Sequence, residues 1–137
     1  MTIPDSHKEL LKEPVCIVLT TVMPDGQPQS TVVWCSYDGT HIKVNTVGGR
    51  QKEQNMRQNP RVTVLAMDPE NPYRYIEVRG TVDEITQEGA LDHANQLAKL
   101  YVNKDTYYGG VAPAEQKDKE TRVICKIKPT HVNAVSM

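Results

Sequence analysis

Two Asp-Gly turns between strand-like segments constrain the fold of this chain more than any other feature. The turns are Asp25-Gly26 and Asp38-Gly39, and each is flanked by apolar, β-branched residues. Asp-Gly in that setting is a strong hairpin signal, because a tight turn needs residues that tolerate positive φ. The three segments that the turns separate are Val15–Val22, Gln29–Ser36 and His41–Thr46. We therefore expect them to form an antiparallel meander.

The remainder of the chain also reads mainly as strands. Four more strands are predicted from β-branched and alternating residues; they are Arg61–Met67, Tyr73–Ile85, Thr121–Lys128 and His131–Val135. One main helix, Gln87–Val102, follows Thr86 as its cap, and a short helix His7–Lys12 follows Ser6. Six or seven short antiparallel strands close most naturally as a barrel. The expected fold is a single, mainly β domain over residues 1–137.

Two stretches of the predicted barrel are candidates for a role beyond packing of the core. The face Tyr73, Tyr75, Glu77, Arg79 mixes aromatic and charged side chains, so it meets water, a ligand or another subunit. The segment Asn103–Glu120 is polar and long for a loop, and long loops in compact domains often act as lids. The first strand is apolar on both faces, which predicts that a helix or a partner covers its outer side.

Composition and missing motifs exclude several classes of function. A net charge of -1, one tryptophan and no phenylalanine argue against a nucleic-acid binder. The four histidines are scattered, so no metal site is expected, and no nucleophile or P-loop motif is present. The N-terminus has no apolar run typical of a signal peptide or membrane anchor. Cys16, Cys35 and Cys125 have no metal-type spacing, which favours buried free thiols in a reducing, cytoplasmic environment.

The segment Asn45–Arg61 is a candidate anion site. It contains a Gly48-Gly49 turn and then a predicted helix from about residue 50 to residue 58, with Arg50 and Lys52 in its first turn. Cations are unfavourable at a helix N-terminus, whereas anions are favourable there. A glycine turn with free backbone N–H groups and two cations is therefore explained by a bound anion. The alternative is that both side chains simply extend into water.

The order of these motifs resembles the flavin-binding split β-barrel superfamily of pyridoxamine 5′-phosphate oxidase-like proteins. The matching stretches are VCIVLTTVMPDGQPQSTVVW, NT-x-GGRQK followed by NPRV, YRYIEVRGTV and TRVICKIKPTHV, which together span nearly the whole chain. Within the superfamily the chain is most similar to the short branch of coenzyme F420-dependent reductases. It lacks the Arg-Leu-x-Pro-type ending of the oxidases proper, which argues against pyridoxamine phosphate oxidation.

The resemblance implies a homodimer with two cofactors in clefts between the subunits. It assigns the cofactor phosphate to Thr46, Arg50, Lys52 and Asn55, and the ring system to Gln29, Ser30 and Thr31. It also places Tyr73 and the stretch Tyr75–Arg79 near the cleft, and within that stretch it points to Arg79 as a site residue. The implied reaction is hydride transfer from reduced F420 to a small conjugated organic substrate, with Tyr73, Arg79 or a water as open choices for the proton donor.

Two other functions remain open at this point. The same fold also suits FMN, because both cofactors present a phosphate and a tricyclic ring to the basic turn. Extra cations at Lys43, Arg57 and Arg61 would suit the polyglutamate tail of F420, but they would equally suit a solvated surface. A non-enzymatic protein that carries a flavin or haem is the other alternative. Trp34 is assigned to the core or a dimer interface ahead of ring stacking.

Overall fold

A computed structural model describes residues 2–137 as one antiparallel sheet that curls around a core, with three α-helices. Its strands are β1 Ile17–Val22, β2 Pro28–Val33, β3 Cys35–Tyr37, β4 Ile42–Val47, β5 Arg61–Asp68, β6 Asn71–Thr86 and β7 Arg122–Val135. Its helices are α1 Glu9–Lys12, α2 Gln51–Gln58, α3 Ala90–Val102 and a 3₁₀ segment Ala114–Asp118. The expected mainly β split barrel is confirmed.

The two Asp-Gly hairpins form as predicted, but the strand between them is divided. The sheet order is β2-β1-β5-β6-β7-β4-β3, so β2 and β3 lie at its opposite ends. Val33 pairs with Ile17 of β1, whereas Cys35 pairs with Val44 of β4. The predicted three-stranded meander is therefore wrong, because the chain changes pairing partner at Trp34. That residue joins the two ends of the sheet.

The C-terminal strand is continuous where the sequence predicted two strands. β7 runs from Arg122 to Val135 through Pro129, which lies opposite Gly80 of β6. The register shifts between Arg79 and Gly80. A bulge accommodates proline within a sheet, since an irregular position does not require the missing N–H.

The core lies on the concave side of the sheet and is aliphatic. Its fully buried side chains include Leu10, Leu11, Ile17, Leu19, Ile42, Met56, Ile76 and Ile127. In the first predicted strand, Val15, Ile17 and Leu19 are buried on one face. Val18 and Val22 on the other face are half-buried, so a single chain covers the outer side of this strand only in part. Met56 is the apolar residue through which α2 joins this core.

One of the three predicted buried thiols is exposed. Cys35 and Cys125 are buried, and burial raises the pKa of each thiol to about 12. Cys16 is exposed, because β1 begins only at the next residue. All three are free thiols.

Both predicted caps differ from the structure. Helix α1 begins at Glu9 with no side-chain cap, because the hydroxyl of Ser6 contacts Nδ1 of His7 instead. Helix α3 begins at Ala90, three residues later than predicted. Thr86 accepts a hydrogen bond from the N–H of Glu88, and Gly89 then adopts φ 73° before the helix starts.

Among residues 2–137, no helix is long and apolar enough to cross a membrane.

Candidate functional site

A cleft of about 230 Å³ opens where β4 and α2 meet α3 and the segment after it. Polar and charged residues line one part of the cleft, namely Asn45, Thr46, Arg50, Lys52 and Arg122. Apolar and aromatic residues line the other, namely Val32, Val33, Trp34, Ala94, Leu97, Tyr107 and Val111. A pocket with apolar walls and a few convergent polar groups is the usual form of a small-molecule site.

Arg50 and Lys52 form the cationic end of the cleft at the start of α2. Lys52 is half-buried, and burial followed by the nearby charge of Arg50 lowers the pKa of its ammonium group. Both causes disfavour the charged form, so an anion between the two side chains would offset them. Arg50 lies 3.5 Å from the carboxylate of Glu120. The carboxylate of Glu120 therefore neutralises part of the positive charge that Arg50 contributes to the cleft.

The glycine turn before α2 does not supply the free N–H groups that the sequence led us to expect. The N–H of Gly48 donates to Thr121, and that of Gly49 donates to the carboxylate of Glu53 at 2.8 Å. The N–H of Arg50 lies 3.3 Å from the carbonyl of Val47. Gly49 adopts φ 93°, which is why glycine is needed there. Anion recognition in the cleft must therefore come mainly from side chains.

Arg122 is the third cation of the cleft and is held rigidly. Its Nε donates to Oδ1 of Asn45 at 2.8 Å, and its guanidinium lies 4.3 Å above the ring of Tyr107. Its Nη1 is buried and has no hydrogen-bond partner within the described residues. A buried donor without an acceptor is costly, by about 1–3 kcal/mol. Because Arg122 lines the cleft, a ligand bound there would supply the missing acceptor.

A neutral histidine, His93, supports Arg122 indirectly through a hydrogen bond with Asn45. Asn45 donates to the carbonyl of Ala90 at 2.8 Å and to Nδ1 of His93 at 3.1 Å. Because Nδ1 accepts, Nε2 carries the proton and donates to the hydroxyl of Ser36 at 2.9 Å. Burial, with smaller effects from Lys43 and Arg122, lowers the pKa of His93 to about 4. The histidine is therefore uncharged near neutral pH, as its contact with Asn45 requires.

The apolar wall of the cleft is fixed by an aromatic stack. Trp34 lies against Tyr101 of α3, with ring centroids 5.0 Å apart and an interplanar angle of 12°. The hydroxyl of Tyr101 donates to the carbonyl of Val15 and accepts from the N–H of Cys35. One face of Trp34 is therefore covered by its own chain, while the residue as a whole still lines the cleft.

The segment expected as a loop between α3 and β7 forms the remaining wall. The N–H of Tyr107 donates to Oδ1 of Asn95, and the hydroxyl of Tyr108 donates to Glu120. This segment also contains the 3₁₀ segment Ala114–Asp118. These hydrogen bonds hold Tyr107 and Val111 at the edge of the cleft.

Of the residues expected to bind a phosphate, three line the cleft and one does not. Thr46, Arg50 and Lys52 lie in it together. Asn55 is buried where α2 packs against β1, and it accepts from Gln51 and donates to Thr21 at 3.0 Å. Its amide is thus occupied by the chain itself.

The residues expected near the ring lie beside the cleft and not in its lining. The side chain of Gln29 lies 3.3 Å from the amide of Asn55, and Ser30 contacts Thr20 across the strand pair. The hydroxyl of Thr31 is buried and without a partner in the described part of the chain. The cleft instead begins at the end of β2, with Val32 and Val33.

Tyr73 and Arg79 lie on the outer face of the sheet. Tyr73 is 67% exposed, and Arg79 lines a separate groove between β5 and β7. Neither lines the cleft of a single chain. They would approach a cleft only by contributing to the site of a second copy.

Sequence reasoning missed Arg122, Asn45, His93 and Tyr107 as members of this site. One signal for Arg122 was present. It begins a strand in which the apolar Ile124 follows two residues later on the same face. A cation on an apolar strand face is uncommon and needs a polar partner. No local signal links Asn45, His93 and Tyr107, because three different elements bring them together.

The arrangement fits a ligand that combines a phosphate with a planar ring, as the flavin and deazaflavin cofactors do. Lys52 and Arg50 suit the phosphate, and the walls around Trp34 and Leu97 suit a flat apolar surface. The Nη1 of Arg122 is a further charged donor at this cleft without a partner among residues 2–137. Within residues 2–137, no cluster of metal-ligating side chains occurs.

Comparisons with known proteins agree with this arrangement. A sequence model of the pyridoxamine 5′-phosphate oxidase family matches residues 3–136. A solved structure described as an F420 reductase is 35% identical and has a TM-score of 0.82, with 96% of this chain and 98% of that chain covered. A conserved hypothetical protein from Mycobacterium tuberculosis is 27% identical with a TM-score of 0.69, and the coverage is 89% and 77%.

A more distant structure shares the fold alone. General stress protein 26 from Bacillus anthracis is 23% identical, with a TM-score of 0.65 and coverage of 92% of this chain and 88% of that chain. No curated protein matches the sequence significantly.

Proposed function

This chain belongs to the pyridoxamine 5′-phosphate oxidase family, and on that premise we propose that it is an oxidoreductase that uses reduced coenzyme F420 to transfer hydride to a small conjugated organic substrate. The observation that carries the proposal is one cleft with a cationic end, Arg50 and Lys52, and an apolar wall that includes Trp34. The similarity to an F420 reductase favours F420 over FMN.

The protein's part in such a reaction is to bind, orient and exclude water. Lys52 and Arg50 hold the phosphate by charge-assisted hydrogen bonds, and Thr46 borders the same end of the cleft. Trp34 and Leu97 shield the ring from water, so a hydride is protected from competing reactions. When bound, the reduced deazaflavin supplies the hydride, and no side chain need act as a nucleophile.

The additional cations of the basic segment are poorly placed to select F420 by its acidic tail. Lys43 pairs with Asp38 at 3.2 Å, and Arg57 pairs with the buried carboxylate of Glu53. Arg61 lies in the groove on the outer side of the sheet. The proposal of F420 therefore rests on the similarity and on the cleft, and FMN is the alternative that the same cleft would accept.

We also propose that the protein is a homodimer joined through the outer sheet face. Three large apolar residues are exposed on or beside that face, namely Val32, Met67 and Tyr73. Val32 also lines the cleft, so a second copy packed there would border the cofactor. The three free thiols suit a reducing, cytoplasmic environment.

Titration of the purified protein with F420 and with FMN tests the cofactor assignment. Quenching of cofactor fluorescence gives the two dissociation constants, and we expect F420 to bind at least ten times more tightly. Tighter binding of FMN would replace F420 by FMN in the proposal. Binding of neither would rule out the proposed function.

Sedimentation velocity tests the dimer. Leu65 lies at the middle of the outer face, opposite Glu77 and Val18 in the neighbouring strands. The variant Leu65→Glu adds a charge beside Glu77 and should sediment as a monomer, whereas wild type sediments as a dimer. Thr40→Glu, in an exposed turn, is the matched control and should stay dimeric. A monomeric wild-type protein would contradict the dimer proposal.

A further inference from the structure

Arg122 is a cation of the cleft that contacts neighbouring residues on three sides. Asn45 accepts from its Nε at 2.8 Å, and the ring of Tyr107 lies 4.3 Å from the guanidinium carbon. Tyr108 lies farther away, with its ring centroid 6.0 Å from the same carbon. Because Asn45 is itself held by Ala90 and His93, the guanidinium has one defined orientation.

The chain offers no acceptor to one end of this guanidinium. Nη1 is buried and unpartnered within residues 2–137. The nearest carboxylate in sequence is that of Glu120, which accepts from Tyr108 at 2.8 Å and lies 3.5 Å from Arg50. Oδ1 of Asn45 is taken by Nε of Arg122. Because Arg122 also lines the cleft, a ligand bound there is the acceptor that this buried donor lacks within the described residues.

The geometry also limits what that acceptor is. A guanidinium donates in its own plane, and one broad face of this guanidinium is covered by Tyr107. A carbonyl oxygen or ring nitrogen at the edge of a flat heterocycle suits such a donor. The phosphate of the same ligand already has Lys52 and Arg50, which begin a different element.

We propose that Arg122 is a second recognition point of the cleft, which binds the carbonyl edge of the cofactor's pyrimidine-like ring separately from the phosphate. This inference rests on the proposed function, because it requires a flavin or deazaflavin ring in the cleft. A cation at that edge stabilises negative charge on the ring. Arg122 therefore sets the ionisation and reduction properties of the bound ring as well as its position.

Ligands with and without the phosphate separate the two recognition points. We would titrate wild type, Arg122→Gln and Lys52→Ala with F420 and FMN, and with riboflavin and the corresponding deazariboflavin, which lack the phosphate. Arg122→Gln should weaken all four about tenfold or more. Lys52→Ala should weaken only the two phosphate-bearing ligands.

Further variants distinguish direct binding from support of the fold. Asn45→Ala removes the contact to Nε but keeps the charge, so it should weaken ring binding less than Arg122→Gln does. Lys117→Gln removes a charge from an exposed position and should change nothing. The absorbance of the bound ring, followed against pH, gives a readout that a purely structural role would not move. In Arg122→Gln the pKa of the ring's acidic group should rise relative to wild type.

The outcomes are distinct. If wild type binds neither cofactor, the proposed function and this inference both fail. If wild type binds and Arg122→Gln binds the phosphate-free rings equally well, the inference fails while the proposed function stands. Equal losses in Asn45→Ala and Arg122→Gln, with an unchanged ring pKa, would reduce Arg122 to a structural role and would also overturn the inference.

Discussion

The structure contains two basic depressions, and they differ in how their charges are held. The cleft beside α2 contains Lys52 and Arg122, of which the first is half-buried and the second has a buried, unpartnered nitrogen. The groove on the outer sheet face, about 360 Å³, contains Arg61 and Arg79, both exposed. Arg79 lies 3.4 Å from Glu77, within its own strand.

The difference shows that positive charge alone does not identify a ligand site. Exposed cations interact mainly with water and are screened by salt, so the groove gains little by binding an anion. Cations that are already desolvated gain much more from an anion, because the cost of burial has been met in the folded state. The cleft is therefore the stronger candidate, although the groove is larger.

The largest expected effect lies in the groove and concerns stability. A Cβ atom at Gly80 would lie 2.7 Å from both Cγ2 of Ile127 and the carbonyl oxygen of Lys128. Gly80→Ala should lower the free energy of unfolding by about 3 kcal/mol, since backbone of β7 would have to move. Gly26→Ala is the control: its Cβ meets nothing within 4 Å, but φ is 91°, so a loss of about 1 kcal/mol is expected. Urea unfolding measures both, and equal losses would contradict the steric explanation.

The second prediction compares the two depressions directly. Lys52→Ala should weaken cofactor binding about 10- to 100-fold, which corresponds to a charged hydrogen bond of about 1.5–3 kcal/mol. Arg61→Ala, which removes a cation from the groove, should leave the affinity within about twofold. Fluorescence titration gives both constants, with unfolding curves to confirm that each variant is folded. A greater loss in Arg61→Ala would reverse the assignment of the two depressions.

The third prediction compares a histidine behind the cleft with one in the groove. Because the pKa of His93 is lowered to about 4, its neutral form stabilises the folded state. That contribution is complete above about pH 6.5 and is lost as the pH falls towards 4, by about 3 kcal/mol in total. His93→Gln should therefore show a weaker loss of stability between pH 7 and pH 4.5 than wild type.

The matched control is His131→Gln, since His131 is exposed in the groove. This variant removes an imidazole from the groove and leaves His93 and its hydrogen bonds unchanged, so the effect of His93 on stability should persist. Urea unfolding at the two pH values measures each variant. Parallel curves for wild type and His93→Gln would show that His93 does not carry the acid sensitivity.

The smallest expected effect sharpens the description of the cleft. Glu120 lies beside Arg50 and competes with any anion for it. Glu120→Gln keeps the hydrogen bond from Tyr108 but removes the charge, so affinity for a phosphate-bearing cofactor should rise about two- to fivefold. Glu115→Gln, at an exposed position in the same segment, should have no effect. Weaker binding in Glu120→Gln would instead mean that Glu120 positions Arg50.

Much of the fold was predictable because it depends on local signals. The two Asp-Gly turns, the strand at Arg61 and the apolar stripe of α3 each predict an element within a short window. The errors in strand boundaries occurred where the choice of the neighbouring strand decides the structure. Trp34 divides a strand because its two flanks pair with β1 and β4, and Pro129 fits within β7 because of the bulge at Gly80.

The mainly β fold and the cationic turn with Arg50 and Lys52 follow from patterns of contiguous residues. Which other groups share the cleft with them depends on long-range packing. Arg122 is 72 residues from Arg50 in the chain, and its partners Asn45 and Tyr107 come from β4 and from the segment after α3. Long-range contacts also tied the amide of Asn55 to Thr21 and the N–H of Gly48 to Thr121. Burial and hydrogen bonding are properties of the assembled sheet, so no local pattern could reveal them.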